Sequence, residues 1–295
     1  FTETQIAGLT ATQVRSLTNT AIGALADTQV AALTTAQVQS LSTTSVSGLD
    51  ATQVAALTTA QVKSITTAQI TALNTTDIQE FSETQIAALT VTQLGAFNST
   101  KYGALTDAQI AAMTLTQVQS ISAANLSALN LTQIAALTTT HVGGLSTTQL
   151  SALSTTNLSA LDATQAAALT TTQVANLSTT QVAALNATDI GELDATQIGA
   201  LSATLLSKLT TDAVVALDAT HLAGLNTTQL QSFVTTQMAA LGAGDVAGLG
   251  LDRRAQHALG RRGCEVVAVA DARMVRVRMR DDCAFDGPPR RAQSI

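Results

Sequence analysis

Cysteine is absent from residues 1–251, so disulfides do not hold that part of the chain together. Aromatic residues make up 2% of the sequence, with no Trp and one Tyr, Tyr102, which leaves no material for a large aromatic core. There is no run of 18 apolar residues, so no transmembrane helix is expected. No signal peptide is visible and the first residue is Phe1 rather than Met, which reads as a fragment of a larger protein. Charge is sparse and uneven. Residues 1–251 carry 14 acidic and 4 basic side chains, a net of −10, whereas residues 252–295 carry 6 acids and 10 Arg, a net of +4. The acidic stretch lacks the clustered cations that affinity for phosphate requires, so a nucleic-acid partner is not expected.

What the chain does have is an eight-residue repeat, unbroken in register from Phe1 to about Leu249. The unit reads Leu-Thr-x-Thr-Gln-Val-x-x: Gln5-Ile6 and Leu9 recur as Gln13-Val14 and Leu17, and so on to Gln237-Met238 and Leu241. Across 31 units the Leu position is always large and apolar, and the Val position is so in 30, Ala166 being the small substitute. A fixed short period makes this a repeat architecture, and length becomes a count of units.

Each position has a physical reading. The residue after Leu is nearly always Thr, Ser, Asp or Asn, the four types whose short side-chain oxygen accepts a hydrogen bond at a helix start. Gln follows three residues later in 19 units, completing a capping box. Leu before the cap and Val four residues after it form a hydrophobic staple. Each octad therefore encodes the beginning of a helix.

One long helix does not fit, because eight residues advance roughly 80° past two turns and the apolar stripe would spiral. A β-solenoid is the alternative, but Val and Leu three apart would face opposite sides of a strand. The expected fold is therefore an all-α solenoid of short helices, one per octad, with the chain reorienting at each Leu-Thr junction. One octad cannot offset its own ordering entropy, so stability must come from stacking. The small residue before Leu (Gly8, Ser16, Ala24, Gly48) reads as permitting close backbone approach or a turn, and so do Gly23, Gly95 and Gly103. A 24-residue rhythm appears locally, in Arg15, Gln39 and Lys63 and in the Ala-Ala pairs at 87, 111 and 135. It would suit three octads per coil, but it lapses elsewhere.

The octad solenoid is assigned to residues 1–251, and residues 252–295 form a basic, non-repeat tail, irregular or α+β. Glu265–Val269 and Met274–Met279 look like one or two short strands, the second alternating apolar and cationic residues. Three readings compete for the tail: a cap over the last coil, a basic docking segment, or a frameshifted end.

Candidate sites are few. His141 and His221 stand at Gln positions ten units apart and read as substituted cap-box residues near the surface; His257 lies in the tail. Asp77, Asp189 and Asp245 also replace Gln and still favour a helix start. No converging ligand set is encoded, so neither a metal nor a cofactor is expected. Cys264 and Cys283 have no legible catalytic partner, and no catalytic residue is assigned. The sequons at Asn74, Asn98, Asn130, Asn186 and Asn226 follow mechanically from Asn at the cap. Thr precedes Gln in 24 of 31 units, a regular row that could order water or ice on a flat face.

The unit Leu-Thr-x-x-Gln-Val/Ile-x-x-Leu resembles octapeptide-repeat tracts of large bacterial surface or secreted proteins, often described as adhesin-like or haem-utilisation-like. The resemblance covers residues 1–249 and implies a repeat module rather than a particular ligand. The string also looks like the first helix of TAL-effector repeats, but the second helix and its base-reading loop are missing. The expected function is a non-enzymatic spacer or adhesive stalk, outside the cell or on its surface, with an unknown protein or surface ligand. The alternatives are an intracellular interaction scaffold, hence cytoplasmic, and binding of ice or an ordered surface through the Thr row.

Overall fold

A computed structural model describes residues 1–241 and the backbone of 267–271 and 274–278. The first stretch is all-helical: thirty helices, α1 (Glu3–Ala7) to α30 (Thr235–Ala240), each of four to six residues. The octad accounts for both helix and break. At most junctions a Thr, Ser, Asp or Asn N-cap in extended conformation accepts from the N–H three residues on, as Thr114 does from Gln117. The preceding Leu-type residue is extended too, as at Leu41 (φ −56°, ψ 144°) and Ile121 (φ −64°, ψ 127°), so two extended residues turn the chain between helices. Ala26 and Val234, which have no side-chain oxygen, start helices with only the Gln half of the box.

Stacking follows a three-octad coil. Within residues 1–173, α2 (Ala11–Arg15) packs on α5 (Thr35–Ser40), α5 on α8 (Thr59–Ser64), α8 on α11 (Glu83–Ala88), and α11 on α14 (Asp107–Ala112). The other helices follow the same rule of helix n on helix n+3, giving three columns. The 24-residue rhythm, visible only in patches of the sequence, thus governs the packing throughout this unit. The second unit, residues 174–295, repeats the rule: α24 (Ala187–Glu192) packs on α27 (Thr211–Val215), and α27 on α30.

The core is the staple pair of the octads, buried throughout the interior and half-buried only near the ends, as at Leu9, Leu17 and Met238. Val-position residues such as Val62, Ile86, Ile110 and Val118 have no exposed surface, and Leu-position residues such as Ile65, Leu89 and Ile121 are nearly as buried. Close approach of coils is confined to particular glycines. A Cβ on Gly144 would fall 2.3 Å from Leu115 Cδ1, and one on Gly143 would fall 2.9 Å from the Ala168 carbonyl. Gly103, which the sequence suggested for the same role, has nothing within 4 Å.

Beyond the helices, Val267–Asp271 and Met274–Arg278 pair as antiparallel strands, Val269 opposite Arg276. The change of composition at 251/252, and with it His257, Cys264, Cys283 and Asp245, lies outside the described residues. Among the described residues no helix is long and apolar enough to cross a membrane.

Candidate functional site: the glutamine brackets

The most organised polar feature is the row of Gln side chains, and from Gln37 on it is buried rather than at the surface. Gln37, Gln53, Gln61, Gln69, Gln117 and Gln133 are at most 3% exposed. Each amide works in two directions. Gln117 Oε1 accepts from the Thr114 N–H at 2.7 Å, completing its own capping box. Gln117 Nε2 donates to the carbonyls of Ile86, at 2.9 Å, and Leu89, at 2.7 Å. These carbonyls lie 31 and 28 residues earlier, at the C-terminus of the helix four octads back and the extended residue after it. The spacing follows from the coil. Helix n rests on helix n−3, so its N-terminus stands over the end of helix n−4.

The same pair of bonds recurs from Gln37 to Ile6 and Leu9 through to Gln173 to Val142 and Leu145. It recurs in the second unit from Gln237 to Leu206 and Leu209. Helix ends leave N–H and C=O groups without intrahelical partners, and burying them unpaired is costly. One Gln resolves both ends at once. Glu could supply the acceptor for the cap but no donor for the carbonyls, which explains why Gln is used and Glu never stands at this position.

The substitutes obey the same logic. His141, 4% exposed, accepts from the Thr138 N–H through Nδ1 at 3.3 Å and meets the Met113 carbonyl through Nε2 at 2.7 Å. His221 does likewise with Asp218 at 3.1 Å and Leu193 at 2.8 Å. The sequence placed both near the surface; the structure buries them, because the ring spans the same cap-to-carbonyl gap as the amide. Burial holds the His141 pKa below its ordinary value, opposed by the bond to Met113. Lys101 keeps only the donor half, its Nζ lying 3.0 Å from the Ile70 carbonyl and 2.6 Å from that of Thr71. Burial lowers the Lys101 pKa, and the Asp77 carboxylate acts in the opposite sense. Asn125 and Asn157, one methylene shorter, each reach a single carbonyl, of Phe97 and Leu129.

Asp77 keeps only the acceptor half, taking the Asn74 N–H at 2.9 Å. Where Gln would donate, Ser47 Oγ–H instead donates to Asp77 Oδ2, thirty residues apart. The same Ser–Asp spacing recurs in the sequence at Ser159 and Asp189. Glu80 lies near this group. Burial first, then the Asp77 and Asp50 charges, raises its pKa, and its Oε2 has no hydrogen-bond partner among the described residues. Tyr102 fills a Val position, with its ring edge-on to Phe97 at 5.5 Å and its hydroxyl donating to the Leu94 carbonyl. Burial pushes its pKa up to about 12.

The outer surface is simpler. Every Thr of the row before Gln is exposed. The five sequon asparagines are exposed N-caps, with Oδ1 engaged by helix N–H groups, as Asn130 Oδ1 is by Gln133. Among the described residues no group of three His, Cys, Asp or Glu could hold a metal ion. The bracket could not be read from the sequence, because its Gln is fully accounted for by the local capping box. The available signal was the choice of residues at that position: Gln, His, Asn and Lys all carry a donor that a cap alone does not need.

Comparison with known families matches residues 30–67 and 142–179 to the ALTTAQ repeat. The chain therefore carries a tandem helical repeat module related to that family over those two stretches. No curated protein matches it.

Proposed function

We propose that the octad stack serves as a non-enzymatic spacer or adhesive stalk in a bacterial extracellular or surface protein. The observation that carries this reading is where the polar groups are spent. The repeat's amides, and the imidazoles of His141 and His221, are turned inward to join coil to coil, while the exposed rows are mostly Thr, Ser and Ala with scattered acids such as Asp50 and Asp162. Such a stack grows by adding identical units, each stabilised by its neighbours, as a device for setting length does. The resemblance to adhesin-like octapeptide tracts agrees with this. No nucleic-acid role is proposed, given the acidity of residues 1–251.

The test is surface exposure on cells that make the protein. Antibody against residues 1–241 should label intact cells, and added protease should remove the label. Labelling only after permeabilisation would reject the stalk and favour the intracellular scaffold. The exposed Thr rows favour one second reading, contact with an ordered surface such as ice. Thermal hysteresis or crystal shaping by the isolated chain would support it, and unmodified ice growth would remove it.

A further inference from the structure

The bracket fails at two successive octads. Position 205 is Leu and position 213 is Ala, where Gln is due. Both are buried, Leu205 at 7% and Ala213 at 0% exposure. Their helices, α26 (Ala203–Leu206) and α27, still start on side-chain caps: Ser202 Oγ accepts from Leu205 N–H and Thr210 Oγ1 from Ala213 N–H, each at 3.2 Å. Neither a Leu nor an Ala side chain can donate onward, and among the described residues no other side chain takes over as donor to the carbonyls 28 residues earlier, of Leu177 and Leu185. The brackets resume at once: His221 to Leu193, Gln229 to Leu201 and Gln237 to Leu209, at 2.7–2.8 Å. Lone substitutions elsewhere keep a polar link to the preceding coil, through Lys101, Asn157 or the Ser47–Asp77 pair, and at Ser45 through the Asn19 side chain rather than a carbonyl.

In a one-dimensional stack each interface is held by its own contacts, so a local loss stays local. We infer that the interface between residues 174–185 and 203–217 is the interior point at which the solenoid opens first. There two adjacent corners have Leu205 and Ala213 where the bracketing Gln that registers one coil on the next is due. Apolar contact is non-directional and does not fix register, whereas the paired amide bonds do. The inference does not depend on the stalk reading and holds equally for a scaffold.

Native-state hydrogen exchange by mass spectrometry on the full chain tests it. The amides of Leu206, Leu209, Val214 and Leu217 should exchange about tenfold faster than those of Val118, Ile121, Val142 and Leu145, the factor carried by one or two ordinary net hydrogen bonds. Leu205→Gln and Ala213→Gln should each slow exchange across 203–217. The converse pair, Gln109→Leu with Gln117→Ala, should carry the fast exchange to residues 78–121 and so decides the matter even if the repaired variants fold poorly. Equal protection of the two regions in the unaltered chain would overturn the inference. So would a transplanted gap that leaves residues 78–121 as protected as before.

Discussion

Replacing Gln117 by Glu changes one atom group and separates the two tasks of the bracket. The carboxylate can still accept from the Thr114 N–H, so the capping box survives. Its other oxygen must then face the carbonyls of Ile86 and Leu89, which now meet an acceptor at 2.7–2.9 Å. Two hydrogen bonds are lost, at about 0.5–1.5 kcal/mol each, and a charge is left buried without a partner. The expected loss at neutral pH is about 3–5 kcal/mol. The pH dependence carries the sign. Burial beside carbonyl oxygens raises the folded-state pKa of the new carboxyl above its unfolded value of about 4.3. A raised folded pKa gives stability that is present below the unfolded pKa and lost as pH rises through the folded one. Q117E should therefore approach the unaltered protein at pH 4, where the protonated carboxyl donates to a carbonyl, and fall well below it at pH 7. Guanidinium titrations followed by circular dichroism at both pH values measure this, with hydrogen exchange over residues 86–121 as the local readout. If Q117E matches the unaltered protein at pH 7, Gln117 is only a cap and the bracket contributes nothing.

His141 bridges cap and carbonyl as the neutral ring, and burial depresses its pKa below 6.5. Its contribution is therefore complete above pH 6.5 and lost as pH falls through the lower folded value, and His141→Gln should flatten local stability over that range. Ser47→Ala should cost about 1–3 kcal/mol by leaving a carboxylate oxygen of Asp77 without its donor. In an Asp77→Gln background the same change should cost under about 0.5 kcal/mol, and equal costs in both backgrounds would refute the compensation. Thr170→Ala with Gln173→Ala removes the cap and the bonds to Val142 and Leu145, each 2.8 Å, so the loss should be about 3–5 kcal/mol rather than the 1–2 of capping alone. Leu169→Asp, at a site 6% exposed, should be at least as damaging, and a harmless Asp there would mean the Leu row faces solvent.

Much of this architecture is legible in the octad because its determinants are local. Thr114 and Gln117 announce a helix start within four residues, and Leu and Val announce the buried face. What the sequence conceals is non-local. The partners of Gln117 are backbone carbonyls, which every residue has, so nothing at Ile86 or Leu89 marks them as acceptors. The three-octad coil is hidden for a related reason: all octads are nearly alike, and only scattered departures such as Gly144 under Leu115 distinguish one coil from the next. His141 looked superficial because its role was inferred from its own helix, whereas its depth is set by the coil before it.

From Gln37 on, the buried Gln amides join their own helix starts to carbonyls of the coil before, for Gln117 those 28 and 31 residues earlier. Nuclear Overhauser spectroscopy with 15N-labelled Gln side chains tests it most directly, with the Gln117 resonance assigned by its disappearance in Gln117→His. Slowly exchanging side-chain amide protons with cross-peaks to Ile86 and Leu89 are expected. Rapid exchange with water, or cross-peaks to residues one octad nearer or farther along the chain, would contradict it.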